Sequence, residues 1–295
     1  MINQLFGHYL VDEGYITGTQ LEHIFEIEKK VRVKLGLIAV SEKLMTPGQA
    51  EEVNRLQALM DKRFGDIAID KGYLTPEQVR RLLSLQGNRY LTFAQAVTEN
   101  GFMGLTEFEK AFNDYQKKMA FTASDMEALK SDVTERVVPL FLPIDCDANQ
   151  IEHILIAFRT IIRLIDSESY ICGSASWVSS MEVNGVALQC LVGDEKASLA
   201  LTGNENDLLV IAERFAGEKF AFVDDDALDA VAEFINCING MFATAVSPKI
   251  EIDMLPPNFK MVSTVARSGK MLKIPIQIDN RQIYLLSTFN GLINL

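Results

Sequence analysis

Asp229, Glu233 and Asn236 fall at i, i+4 and i+7 within the run D-A-V-A-E-F-I-N-C-I-N-G, so on a helix their side chains stack along one face. Two carboxylates and a primary amide on one helical face make no nucleophile–base pair or triad and no closed metal cage. They can do something narrower: an amide orients a water molecule without itself being protonated, and a neighbouring carboxylate docks on a cation. Asn costs roughly 0.5 kcal/mol relative to Ala in a helix interior, so a role other than helicity is expected for Asn236. Gly240, one turn further on, removes a side chain and lets another surface come close.

The element that must carry these groups is an amphipathic helix from Ala227 to about Ala245, with Val231, Phe234, Ile235, Ile238, Met241 and Phe242 covering its other side. Apolar positions Ile151, Ile154, Leu155, Phe158, Ile161, Ile162 and Ile165 predict an earlier long helix over Asn149–Asp166, and another is expected over Glu205–Ala216. Strand-like segments are Trp177–Val183, Val186–Val192, Ala197–Thr202, Lys249–Met254, Lys270–Ile278 and Gln282–Phe289. Asn184-Gly185 between the first two reads as a hairpin turn. Grouped strands with interspersed helices predict an α+β domain, an antiparallel sheet with packed helices.

A chain of 295 residues with 48% hydrophobic content suits two domains. No apolar run approaches the ~18 residues needed to span a bilayer, and the first residues do not read as a signal peptide, so no membrane partner and a cytoplasmic location are expected. Cys146, Cys172, Cys190 and Cys237 show no C-x-x-C pairing, and His8, His23 and His153 are scattered, which predicts reduced thiols and no metal site. The net charge of −12 argues against nucleic acid, whose phosphates are held by basic faces. Residues 1–116 hold 13 Lys and Arg against 16 Asp and Glu, leaving −3 there and −9 for the remainder, so a phosphate ligand fits the N-terminal part better.

That part is organised by a period of 29 residues: Gly7, Gly36, Gly65 and Ala94; Tyr15, Leu44, Tyr73 and Phe102; Leu21, Ala50, Val79 and Phe108. Gly14, Gly72 and Gly101 recur at the same spacing, with Lys43 in the remaining place. Each unit reads as two short helices around a tight turn, with Thr75 as an N-cap, Pro76 in the first helical position and Gln78 closing the box. An α-helical repeat domain is therefore expected over 1–116, and 117–136, without Gly or Pro and without the period, reads as a short helical or partly ordered linker. Val137–Ile144 carries Pro139 and Pro143 and reads as an extended edge segment opening the second domain, 137–295.

The third unit, from Arg63 to Gln86, resembles the repeated motif of the N-terminal domain of MshE-type secretion ATPases, and the second, from Lys34 to Gln57, matches it in register. The resemblance implies a cyclic di-GMP site formed by Lys34, Leu35, Gly36, Gln57, Arg63, Phe64, Gly65 and Gln86. Lys34 departs from the family's arginine and cannot form a planar bidentate fork. Leu5 and Thr92 hold the cation position in the outer units, so those read as structural, and a repeat that only stacks on a partner remains open.

Residues 149–290 resemble the CheC/CheX/FliY-type chemotaxis phosphatases through G-E-K-F ahead of the striped helix, the D-x-x-x-E-x-x-N-x-x-x-G motif, and Pro248 and Pro256-Pro257 after it. The resemblance implies dephosphorylation of a CheY-type response regulator. In that role Asn236 orients the attacking water, Glu233 contacts the regulator's lysine, and Asp229 opens the motif. Mg would come from the regulator, so no cofactor is expected in this chain. The helix over 149–166 carries no second E-x-x-N, which is closer to CheX than to CheC and implies a homodimer. A non-enzymatic adaptor that binds regulators or other partners, sensing cyclic di-GMP, is the alternative.

Overall fold

The computed structural model describes residues 1–30, 33–60 and 62–295, and the chain divides into two units, Ile2–Val133 and Thr134–Leu295.

In the first unit the 29-residue period is written into the backbone. Gly14, Lys43, Gly72 and Gly101 all adopt left-handed φ, at 75°, 56°, 71° and 71°, so the lysine takes the conformation that glycine adopts in the other three repeats. The helices come in pairs: α1 (Ile2–Asp12) with α2 (Gly18–Glu28), α3 (Leu35–Ser41) with α4 (Pro47–Leu59), α5 (Phe64–Asp70) with α6 (Pro76–Ser84), and α7 (Arg89–Glu99) with α8 (Leu105–Lys118). Thr17, Thr46 and Thr75 accept from the backbone N–H of Gln20, Gln49 and Gln78, and each glutamine side chain accepts in return from the threonine N–H. Gly104 takes that place in the last pair without a side-chain cap.

The recurring glycine lies where helices approach closely. A Cβ at Gly7 would stand 2.6 Å from Leu21 Cδ1, and one at Gly65 would stand 2.9 Å from Val79 Cγ1. In the first three pairs the second helix therefore seats on the missing side chain of the first, whereas Ala94 fills that place in the fourth. The same glycines also join pairs to one another. Gly36 faces the ring of Phe64, with Cε2 at 2.9 Å, while Gly65 faces Leu35 Cδ2 at 3.5 Å, so α3 and α5 pack reciprocally through equivalent positions. Gly7 faces Phe93 in the same way, and the Phe6 and Phe93 rings meet edge to face at 6.4 Å. The second repeat is thus matched with the third, and the first with the fourth.

The stretch read as a linker is largely part of this unit. Residues Ala123–Ser131 form α9, capped by Thr122, with Met126, Ala128 and Leu129 buried. Asn88 Nδ2 donates to the Lys130 carbonyl at 2.9 Å, and the Lys130 ammonium lies over the Tyr90 and Phe112 rings at 4.7 and 4.8 Å. The apolar side of a short amphipathic helix has to be buried somewhere, and here it is buried on the repeats.

The second unit opens with α10 (Thr134–Val137) and a 3-10 turn over Val138–Phe141, not with the extended segment expected from its prolines. Pro139 sits in the first turn, where its fixed φ suits a helix and no N–H is required of it. Then come α11 (Ala148–Leu164), β1 (Tyr170–Ile171), β2 (Ser176–Val183), β3 (Gly185–Gly193), β4 (Ala197–Gly203), α12 (Glu205–Ala216), α13 (Asp225–Val246), β5 (Ile252–Met254), β6 (Asn258–Lys260), β7 (Thr264–Ile278) and β8 (Arg281–Phe289). The strands form one antiparallel sheet in the order β1-β7-β8-β4-β3-β5, with β2 also on β7 and β6 also on β3. This is the α+β architecture expected, a sheet with packed helices after a helical region.

Asn184-Gly185 does not make a hairpin. Instead β2 pairs with β7 and β3 pairs with β4, so the chain leaves one edge of the sheet and re-enters elsewhere. Gly185 is paired inside β3 opposite Gly203, and a Cβ there would meet the Gly203 carbonyl, Leu208 Cδ1 and Met261 Cε at 3.0 Å each. The glycine serves close packing, not a turn. Asn184 is held by the Ser263 hydroxyl, which donates to its Oδ1 at 2.9 Å.

Both faces of the sheet are apolar. Val183 of β2 shares a buried cluster with Val186 and Leu188 of β3, Ala200, Ala266, Met271, Leu286 and Ile293, although β2 and β3 are not neighbours, so the sheet curls around that cluster. On the opposite face Ala187, Gln189 and Leu191 of β3 alternate toward the helices. There α13 packs with α11 and α12, burying Val231, Phe234, Ile235, Ile238 and Phe242. Among the described residues no helix is long and apolar enough to cross a membrane.

Candidate functional site

The helix α13 carries the whole stripe. Asp224 caps it by accepting from the Ala227 N–H at 3.0 Å, and Asp225 and Asp226 follow in the first turn, where the helix dipole favours negative charge. Asp229 and Glu233 are exposed, whereas Asn236 is half-buried beside the sheet. Asn236 Nδ2 donates to Glu233 Oε2 at 3.2 Å, which joins the two on one face. Asp229 lies one turn nearer the N-terminus on the same stripe.

Asn236 is held from beneath. Gln189, 1% exposed on β3, donates through Nε2 to Asn236 Oδ1 at 2.9 Å and to the Leu255 carbonyl at 2.8 Å. Its Oε1 accepts from Asn239 Nδ2 at 2.8 Å, and Asn239 Oδ1 lies 2.7 Å from His153 Nε2 on α11. An amide oxygen can only accept, so Nε2 of His153 carries the proton. The imidazole stacks on Phe242 with ring centroids 4.1 Å apart, and its Nδ1 is buried without a hydrogen bond. Burial pushes its pKa down to about 4, opposed by the Asn239 bond, so the ring is neutral at physiological pH.

Sequence reasoning placed none of Gln189, Asn239 and His153 at the site. Each is a polar residue at an inward-facing position of a largely apolar stretch, V-A-L-Q-C-L-V, I-N-C-I-N-G-M-F and I-E-H-I-L-I, and a buried polar group needs a partner. That was the available signal.

Cys237 adjoins the stripe with its Sγ 3.9 Å from Glu233 Oε1. Burial and the neighbouring carboxylate push its thiol pKa up, so it stays protonated and is a poor nucleophile. Met254 lies over Gly240, whose Cβ would stand 3.9 Å from the methionine Cε, an ordinary contact that leaves room for a methyl group. Glu233, the outer edge of Asn236 and Gly240 thus form an open polar-to-smooth strip, with exposed Met254 and Leu255 at its margin. Such a strip can present a carboxylate and an amide to another surface; it does not enclose a small molecule.

The residues of the expected nucleotide site lie in the first unit. Lys34 and Arg63 are the N-terminal flanking residues of α3 and α5. The Lys34 ammonium pairs with Glu99 at 2.8 Å and its backbone N–H donates to Gln95 Oε1 at 2.7 Å. Leu35 and Phe64 are buried, at 8% and 7% exposure, in the reciprocal contact with Gly65 and Gly36. Gln86 Nε2 donates to the Val33 carbonyl at 2.9 Å, and Arg63 and Gln57 are exposed.

Residues 186–277 match the family described as chemotaxis phosphatase CheX, so the second unit carries a CheX-type domain. Similar solved structures include a CheC-like superfamily protein from Shewanella sp. PV-4, at 21% identity over 50% of this chain and 100% of that one, with a TM-score of 0.42. Chemotaxis protein CheX from Desulfovibrio desulfuricans gives 14% identity over 48% and 99%, with a TM-score of 0.41. The CheX–CheY–BeF3–Mg complex from Borrelia burgdorferi gives 20% identity over 50% and 98%, with a TM-score of 0.36. No curated protein matches the chain.

Proposed function

We propose that the second unit hydrolyses the aspartyl phosphate of a CheY-type response regulator, with Asn236 orienting the water and Glu233 docking on a regulator cation. The observation that carries this reading is the pairing of Glu233 with an Asn236 whose amide is braced from within, inside a domain that matches the CheX phosphatases. The water oxygen bonds to phosphorus, the acyl oxygen–phosphorus bond breaks, and inorganic phosphate and the free carboxylate result. Because the regulator brings its own metal and lysine, placing one water in line is the contribution asked of this chain, and positioning supplies much of the catalysis in phosphoryl transfer. Asp229 adds negative charge to the docking face.

The test is a dephosphorylation assay on Mg-loaded phosphorylated receiver proteins of the source organism. Acceleration of at least one supports the enzyme; binding to one without acceleration supports an adaptor.

For the first unit the packing favours a protein-interaction module over a cyclic di-GMP site, since the shared glycines seat helices and the Lys34 charge is paired with Glu99. Titration calorimetry with cyclic di-GMP is expected to give no heat. The homodimer is proposed to form along β2, which among the described strands pairs only with β7. Light scattering that reports a monomer at tens of micromolar would rule it out.

A further inference from the structure

Four polar side chains run from the core to the surface in single file, His153, Asn239, Gln189 and Asn236, and end on Glu233. Asn and Gln amides can be turned over without changing shape, so each link could in principle face either way. Two fixed acceptors remove the choice. The Leu255 carbonyl cannot donate, so the Gln189 nitrogen must point toward it, and that same nitrogen then faces Asn236 Oδ1. Glu233, as a carboxylate, also only accepts, so the Asn236 nitrogen must face it. The two constraints are independent and agree. At the inner end Gln189 Oε1 takes a proton from Asn239, whose oxygen takes one from His153. Every donor in the row points from the core toward the surface, and reversing one amide would set oxygen against oxygen at the next link.

We infer that Gln189 is a positioning residue that turns the Asn236 oxygen inward and its N–H groups outward, so that this helix presents an amide donor beside the Glu233 acceptor. The inference deepens the phosphatase reading and rests on it for its kinetic consequence, though not for its geometry. One Asn236 N–H is used on Glu233, and the second is left for a water oxygen held between the two side chains. A water that accepts from Asn236 and donates to Glu233 has one lone pair free to face phosphorus. With Asn236 reversed, its oxygen would meet Glu233 and the water would lose its donor.

Two readouts on the full-length protein separate the geometry from the chemistry. In 15N spectra the Asn236 side-chain NH2 pair is assigned by its loss in Asn236→Ala. Gln189→Met keeps the length of the side chain but removes both donors, and is expected to move that pair to the positions of a freely rotating exposed amide. In the dephosphorylation assay the same variant is expected to lower the maximal stimulated rate at least about tenfold, with the half-saturating regulator concentration unchanged. Gln189→Glu keeps the acceptor for Asn239 and, should Gln189→Met not fold, is expected to shift the same resonances. Asn236 resonances unmoved in a folded Gln189 variant would overturn the inference, as would an undiminished maximal rate. A wild-type protein that accelerates no regulator defeats the phosphatase reading alone, because the resonances still decide the geometry.

Discussion

His153 on α11 and Asn239 on α13 meet at 2.7 Å in a fully buried contact that ties the two long helices together through a neutral imidazole. Its folded pKa, about 4, lies below the ordinary value of 6.5. As pH falls through about 6.5 the unfolded chain takes up a proton that the folded chain refuses, so folding stability drops until the folded pKa is reached. Between about pH 7 and about pH 5 wild type is expected to lose on the order of 2 kcal/mol more than His153→Gln, which keeps a donor but does not titrate. Chemical denaturation at the two pH values measures this, and equal losses would show that the imidazole protonates freely in the fold.

Asn236→Ala is expected to abolish stimulated dephosphorylation while changing stability by less than about 1 kcal/mol, because Gln189 keeps its bond to the Leu255 carbonyl when Asn236 is gone. Asp229→Asn should instead raise the half-saturating regulator concentration, and Glu233→Gln should raise it further and also lower the maximal rate, because Glu233 both docks on the regulator and holds the water. Retained activity in a folded Asn236→Ala protein would remove the proposed mechanism.

Gly240 separates folding from docking. There is room for a methyl group beside Met254, and alanine is favoured over glycine in a helix interior by about 1 kcal/mol, so Gly240→Ala should raise the melting temperature. If a partner rests on this strip, the same variant binds its regulator more weakly. Tighter or equal binding would move the docking face off the C-terminal half of α13.

In the first unit two glycine substitutions should act with opposite sign. Gly48 has nothing within 4 Å of a built Cβ, so Gly48→Ala should stabilise by up to about 1 kcal/mol. At Gly65 the new methyl would press on Val79, whose branched side chain has little rotamer freedom, and overpacking costs about 1–3 kcal/mol. Thermal melts of the full chain followed at the helix signal should move up for the first and down for the second.

The repeats were legible in the sequence because a glycine and a capping threonine recur at one spacing, and both have a local cause in the structure. Lys43 shows where local rules end: nothing in its side chain favours a left-handed backbone, yet the turn it shares with three glycines imposes one. The long helices and the main strands of the second unit were legible from their periodicity, whereas the short β1 and β6 and the helical turns over 134–141 were not. Their pairing was not, since Asn184-Gly185 is as good a hairpin signal as a sequence offers and yet β2 belongs on β7, a choice set by contacts far along the chain. The exposed stripe of the site was readable at helical spacing. What braces it was not, because joining Gln189 and His153 to α13 needs the sheet and the helix layer already assembled.

The glycine contacts in the first unit match the second repeat with the third and the first with the fourth, like nested brackets. An ordinary solenoid exposes the same stacking face at each end and can grow or shrink by one repeat without changing the rest. Nested pairing has no such free end. Removing any single repeat leaves its counterpart's glycine–aromatic contact unfilled, and removing the second would also strip the fourth of its bonds to Lys34, which run from Gln95 and Glu99.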